Sequence, residues 1–206
     1  AVLRARTQVV DTALRRLLGE LIDGHEVRSA ASLAERVVAA ARPEGHPLFA
    51  AEAALEIPGE PHLALWRHAT CLREHRGDGH VAALAAAGID GCEAHVLMTD
   101  VKGVPADMQR EFRGWSEEEW NDAIGRLKAR GLHDGKTLTE DGRTLYAEIE
   151  RVTDERAAEP WTALNDEEIA RFQSDMRVLV DAIVNEGLPY PNPMGLPRPE
   201  VAAPRG

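Results

Sequence analysis

The stretch from Pro61 to Met98 constrains the fold most, because it places polar side chains on a pattern typical of helices. It holds five of the eight histidines in the chain. From Pro61 to about Arg76, apolar residues and histidines recur on one side of a 3.6-residue period, and Pro61 suits the first turn of a helix. That side comprises Ala64, Leu65, His68, Cys71, Leu72 and His75.

A turn at Gly77–Gly79 is expected to end this helix. The two glycines favour a break, and Asp78 is a suitable N-cap for a second helix over residues 80–88. Gly88 ends that helix, and a further turn leads into residues 92–98. Two short helices joined by a tight glycine-containing turn predict a first helix-turn-helix here.

Composition limits the class of protein. A chain of 206 residues with 44% hydrophobic content can bury one substantial core or two small ones. The formal net charge of −11 repels nucleic acid at long range and disfavours a general DNA-coating protein. Cys71 and Cys92 lack the spacing of metal ligands, so we expect both to be reduced and buried.

No apolar run approaches the ~20 residues that cross a membrane, and no signal peptide is recognisable. The expected compartment is therefore the cytoplasm. The chain begins at Ala1, without methionine and already in a helical pattern, so we expect further residues to precede it.

The predicted fold class is mainly α, with a helical unit and a winged helix-turn-helix that carries a small two-stranded β wing. Glycine and proline divide the chain into five segments. These are N-terminal helices and a connector at 1–60; a helix-turn-helix-like unit with a His/Arg/Asp cluster at 61–114, ending in a polar linker from 99; a winged-helix unit at 115–161; a C-terminal helix at 162–187; and a proline-rich tail at 188–206.

The order helix, hairpin, long helix predicts the winged unit. Ser116 and Glu119 have the spacing of a capping box at the start of its first helix. Residues 132–139 suggest a two-stranded hairpin about Asp134 and the following glycine, and Thr139 caps the helix after it.

Two further pairs share the capping-box spacing. They are Ser32 with Glu35 in the second predicted helix and Asn165 with Glu168 at the start of the last one.

Two motif blocks carry a resemblance to known proteins. In LREHRGDGHVAALAAAGIDG, and again in RGWSEEEW, LKARGL, LTEDGR and EIERVTDERAAEPW, the chain resembles an actinobacterial helix-turn-helix family of unknown function. The part from GL to LTEDGR is also similar to MarR-type regulators. The resemblance covers most of residues 1–187 and implies a fold, a further N-terminal region and no reaction.

The polar residues near the middle of the chain are the candidate ligand site. Arg73 and Arg76 can hold an anionic group. Asp78 could instead orient a histidine as general base. Hydrogen-bonded core histidines and a metal site stay open as alternatives, although no HxxxH or HxH spacing supports a metal. The candidate ligand-binding residues are His68, Arg73, His75, Arg76, Asp78 and His80; of these, His68 and His75 are expected to be buried.

Four cations are the candidate nucleic-acid contacts: Arg126, Lys128 and Arg130 before the wing, and Lys136 at its tip. Residues 116–160 nevertheless carry 12 acidic and 7 basic side chains, a net charge of −5. Phosphate contacts supply most of the affinity for DNA, so we expect weak binding. A scaffold that contacts no DNA is the alternative.

The function predicted from these features is a regulator-like winged-helix protein that binds a small molecule, with an anion and DNA as candidate partners. The alternatives are an enzyme of specialised metabolism that uses the His/Arg/Asp cluster, and a structural partner protein. No catalytic residue, metal site or cofactor is identified. Apolar faces on the first helix and on residues 166–186 predict a homodimer, unless the two faces cover one another.

Overall fold

Nine α-helices follow one another in the computed structural model, which describes residues 2–185 together with 192 and 194. Two turns of 3-10 helix follow the first and the eighth, at Gly19–Asp23 and Glu159–Ala163. The chain is thus mainly helical, as its periodicity predicts. The helices are α1 (Val2–Leu18), α2 (His25–Ala40), α3 (Pro47–Ala53), α4 (Pro61–Ala86), α5 (Gly91–Lys102), α6 (Ala106–Arg113), α7 (Glu117–Ala129), α8 (Glu140–Ala158) and α9 (Asp166–Asn185).

The described residues form two compact units. Unit 1 contains residues 2–78 and 156–185, and unit 2 contains residues 79–155 together with 192 and 194. The proline-rich tail predicted for 188–206 lies outside the described residues, apart from positions 192 and 194.

In unit 1, α2 lies at the centre of the core and α9 packs along it. Three of the six buried residues of α2 are alanines, which permit a close approach between the two helices. Leu18, Leu65 and Leu179 bring α1, α4 and α9 into the same core.

The predicted apolar faces of α1 and α9 are partly covered inside unit 1. Leu14 and Leu21 pack against the same core as Phe172, Met176 and Ile183. The two helices therefore cover one another, which is the stated alternative to a dimer interface.

In unit 2, α5 packs against both α6 and α7. Leu97, Leu127 and Leu138 are fully buried in the core of this unit. Three residues separate α6 from α7, and the first of them, Gly114, has φ +75°, a conformation that glycine adopts without strain. Two helices joined by such a turn form a helix-turn-helix, at residues 106–129.

The helix break predicted at Gly77–Gly79 is wrong, because α4 runs without interruption from Pro61 to Ala86. The helix-turn-helix predicted with its turn at Gly77–Gly79 therefore does not form. Asp78 lies inside the helix and caps no second one. Its carboxylate instead accepts hydrogen bonds from the first turn of α3. Asp78 therefore stays inside α4, although a glycine lies on either side of it.

The predicted two-stranded β wing is also wrong. Among the described residues there is no β-strand, and His133 and Leu138 form only an isolated antiparallel bridge. The physical reason is length, since α7 ends at Ala129 and Thr139 caps α8, so that residues 130–138 must supply both arms and the turn between them. The side chains of Asp134 and Asp100 also take up the backbone N–H groups of Lys136, Thr137 and Leu138.

The polar linker predicted from Thr99 to Gly114 contains α6, a helix that the periodicity did not indicate. The capping boxes at Ser116 and Asn165 are confirmed by reciprocal hydrogen bonds with Glu119 and Glu168.

Two other cap predictions have opposite outcomes. Thr139 caps α8 as predicted, since its Oγ accepts a hydrogen bond from Gly142 N–H. The pair Ser32 and Glu35 lies inside α2, so that capping box is wrong.

Candidate functional site

The six predicted ligand-binding residues all lie on α4, but the helix divides them between opposite sides. His68, His75 and Asp78 are buried. Arg73 and Arg76 are exposed, and Arg73 pairs with its neighbour Glu74. The predicted pocket, in which the arginines hold an anion beside the histidines, is therefore not assembled by these side chains.

The burial predicted for His68 and His75 is confirmed, at 4% and 3% exposure. Burial lowers the pKa of both imidazoles, so both are neutral near pH 7. His75 stacks on His46 with ring centroids 3.9 Å apart and forms a T-shaped pair with Phe49 at 5.2 Å. The Nδ1 of His68 has no hydrogen-bond partner in the described part of the chain.

The carboxylate of Asp78 serves the first turn of α3. Its Oδ2 accepts hydrogen bonds from the backbone N–H groups of Leu48 and Phe49, each at 2.9 Å. No hydrogen bond joins Asp78 to a histidine among residues 2–185, so the general-base arrangement is not formed. His80 lies in unit 2, where its Nδ1 donates to the Oγ1 of Thr153 at 3.1 Å.

Two of the four predicted nucleic-acid contacts are used inside unit 2. Arg126 donates to Asp90 at 2.6 Å and to Glu93 at 3.2 Å. Arg130 donates to the carbonyl oxygens of Ala87 and Gly88, just beyond the C-terminus of α4. These arginines therefore stabilise the turn between α4 and α5.

Lys128 and Lys136 are exposed, and neither forms an ion pair with a described residue. They are the two predicted cations that stay available to a partner.

The second helix of the helix-turn-helix, α7, exposes acidic side chains to solvent. The first turn of α7 consists of Glu117, Glu118 and Glu119, and Asp122 is exposed one turn later. Residues 79–155 carry 16 acidic and 9 basic side chains, a net charge of −7. This surface repels a phosphate backbone.

Unit 1 contains a cleft of about 520 Å³, which we call the Trp66 cleft. Arg6 and Arg67 belong to its polar lining, and both donate to one carboxylate: Glu52 accepts from Arg6 at 3.1 Å and also from Arg67. The Arg6 guanidinium lies over the Trp66 ring, 4.8 Å from its centroid. The apolar lining comprises Leu3, Leu55, Pro58, Leu63 and Trp66.

Burial opposes ionisation of Glu52, yet the hydrogen bonds from Arg67 and Arg6 hold its pKa below the usual value. Asp11, which also lines the cleft, accepts from His62 at 2.6 Å and from Arg15 at 2.9 Å. Both carboxylates are thus ionised and already paired.

The matching family model covers residues 1–189, and its description is a helix-turn-helix family. The chain belongs to this helix-turn-helix family. No curated protein and no solved structure matches it. Membership agrees with the helix-turn-helix formed by α6 and α7 and suggests a regulator-like role. It does not test the similarity to MarR-type regulators or an actinobacterial source, which stay predictions.

Membership of the helix-turn-helix family gives no ligand, and the Trp66 cleft was missed by the sequence analysis. Its walls come from α1, the connector before α4 and the start of α4, so residues about 60 positions apart meet there. Adjacent Trp66 and Arg67 were the only local signal for the cleft.

Two classes of site find no support in the described residues. No group of three or more His, Cys, Asp and Glu side chains among them could hold a metal ion. In the same part of the chain, no single helix has the length and apolarity to cross a membrane; α4 and α5 meet that test only as a pair bent by 102°.

Proposed function

We propose that this helix-turn-helix protein is a regulator-like, non-catalytic protein that recognises a small organic molecule in the Trp66 cleft. The observation that carries the proposal is the composition of the cleft wall, an apolar surface ending in a half-buried Arg6–Glu52–Arg67 arrangement. Ligand sites combine mostly apolar walls with a few fixed polar groups, in volumes of roughly 300–1,000 Å³.

DNA is the weaker part of this function. Two of the four predicted cations, Arg126 and Arg130, form hydrogen bonds to the turn before α5. The exposed first turn of α7 is acidic. Tight binding needs several phosphate contacts, and Lys128 and Lys136 supply two. We expect gel-shift titrations at physiological salt to show no nanomolar, sequence-selective complex.

The enzyme alternative has lost its main support, because Asp78 orients a backbone turn and no histidine. The case for a homodimer is weaker too, because α1 and α9 partly bury their apolar faces within unit 1. We therefore expect a monomer of 22.5 kDa in light scattering.

The proposal is tested by a thermal-shift screen against a library of small organic acids, amines and neutral compounds. A ligand at 100 times its Kd stabilises a protein by about 2.7 kcal/mol, or roughly 5–10 °C for a chain of this size. The blocking variant is Thr7→Trp, since Thr7 lines the cleft. The matched control is Thr12→Trp, because both hydroxyls bond a carbonyl four residues earlier but Thr12 is exposed outside the cleft.

Ligands should stabilise the wild type and Thr12→Trp but not Thr7→Trp. Equal stabilisation of Thr7→Trp, or no ligand in the library, would contradict the proposal.

A further inference from the structure

The chemical class of the ligand follows from the charges of the Trp66 cleft, and this inference rests on the proposed function. Arg6 and Arg67 share a single carboxylate, that of Glu52, so the three side chains carry a net charge of +1. Asp11 does not compensate this charge, because it is held by His62 and Arg15.

The excess positive charge lies where water screens it poorly. Arg67 is 4% exposed, and its Nε has no hydrogen-bond partner among the described residues. A buried charge is costly unless it is paired, so an anion beside this arrangement would be stabilised. Arg4, Glu56 and Glu60 also line the cleft, but all three are exposed and remain solvated.

Arg6 is the side chain that can reach such an anion. Its side chain is 37% exposed, and one bond to Glu52 leaves most of its five N–H donors available. Its guanidinium is planar, which suits a carboxylate or sulfonate more than a spherical ion.

The apolar part of the cleft contains one aromatic side chain, the Trp66 indole, which the Arg6 guanidinium approaches to 4.8 Å from the ring centroid. Aromatic rings pack on one another in offset or edge-to-face arrangements, so a planar ring fits this wall. The volume of about 520 Å³ accommodates a molecule of one or two rings.

We propose that the Trp66 cleft binds a small organic monoanion with a planar apolar body, in which Arg6 holds the anionic group and Trp66 packs on the ring system.

The test is isothermal titration calorimetry with three probes of one shape and different charge: 2-naphthoate, neutral 2-naphthamide and cationic 2-naphthylmethylamine. The wild type should bind 2-naphthoate at least about tenfold more tightly than 2-naphthamide, because a charge-assisted pair with Arg6 is lost in the amide. The amine should bind most weakly.

Four variants separate the roles of charge and surface. Arg6→Gln should abolish the preference for 2-naphthoate, and Arg6→Lys should keep part of it. Trp66→Leu should lower the affinities for 2-naphthoate and 2-naphthamide by similar factors. Arg16→Gln is the matched control, since Arg16 is an exposed arginine of α1 outside the cleft, and it should bind as the wild type does.

Equal affinity for anion and amide, tighter binding of the amine, an unchanged preference in Arg6→Gln, or no binding of any probe would overturn the monoanion assignment. The proposed function survives those results if other compounds stabilise the wild type and fail on Thr7→Trp. The proposed function fails if ligands stabilise Thr7→Trp as much as the wild type, whatever the calorimetry shows.

Discussion

Asp78 Oδ2 lies 2.9 Å from the backbone nitrogen of Phe49, 29 residues earlier in the chain and in the first turn of α3. The same oxygen accepts from Leu48 N–H, so one buried carboxylate satisfies two donors that a helix start leaves open. The connector before α4 is held to that helix by this contact, and the connector supplies part of the Trp66 cleft.

Replacing this carboxylate should destabilise unit 1. Asp78→Ala leaves two N–H groups without their acceptor and should lower the free energy of unfolding by about 1–3 kcal/mol. Asp78→Asn keeps an acceptor oxygen and should cost less. Chemical denaturation monitored by circular dichroism measures both, and Arg73→Ala, an exposed change on the same helix, is the control. A loss below about 0.5 kcal/mol in Asp78→Ala would remove the capping role.

Gly142 should tolerate no side chain. A Cβ there would lie 2.1 Å from the carbonyl oxygen of Leu132, which is backbone and cannot move aside cheaply. Gly142→Ala should therefore lower the melting temperature. Gly125→Ala is the matched control, because a Cβ at Gly125 in α7 meets nothing within 4 Å, and it should stabilise the helix by roughly 0.5–1 kcal/mol. Similar effects from the two changes would contradict the close approach.

Arg130 and Lys128 lie two positions apart, so their contributions to stability can be compared directly. Arg130→Ala removes the donors for Ala87 and Gly88, and should cost about 1–2 kcal/mol in unfolding free energy. Lys128→Ala removes an exposed charge and should change stability by less than about 0.5 kcal/mol. Thermal melts distinguish the outcomes. If the two variants were equally stable, Arg130 would be a free surface cation and a better DNA contact than we infer.

Stability should fall on mild acidification. Burial lowers the pKa of His68, His75 and His95, so the unfolded chain binds more protons than the folded chain just below the ordinary histidine pKa of about 6.5. Their contribution is complete above that pH and is lost as the pH falls toward the lowered folded values. The paired carboxylate of Asp11, with its own lowered pKa, loses its contribution only in stronger acid.

Melting temperatures at pH 7.5, 6.5 and 5.5 test the histidine effect. They should decrease in that order, and His75→Gln should reduce the slope. A flat or rising trend between pH 7.5 and 5.5 would show that these imidazoles are not held neutral.

Periodicity predicted the helices that have an apolar stripe, and it placed His68 and His75 correctly in the interior. It missed α6, whose sequence is mostly polar and whose buried residue is a glutamine, Gln109. A helix that is stabilised by its neighbours rather than by its own apolar face gives little sequence signal.

Local turn residues predicted some helix ends correctly and failed at others. The capping box at Ser116 formed, whereas the pair at Ser32 has the same spacing but lies inside α2, because that helix had already begun at His25. The break expected around Asp78 failed because this side chain is needed by α3. A distant partner of that kind is not readable from the residues beside it.

The cleft depended on contacts that sequence spacing does not reveal. Arg6, Glu52 and Arg67 look like three unrelated surface charges along the chain. Only the fold brings the two arginines to the carboxylate of Glu52. The predicted ligand arginines, by contrast, shared a motif with the histidines but point to the exposed side of α4.

Nuclear magnetic resonance of the four tryptophan indole N–H groups tests the central claim most directly. During a titration with 2-naphthoate, the Trp66 signal should shift and saturate, while those of Trp115, Trp120 and Trp161 stay nearly constant, and the shift should be much smaller in Thr7→Trp. A titration in which Trp66 does not move, or in which another tryptophan responds first, would contradict ligand recognition in the Trp66 cleft.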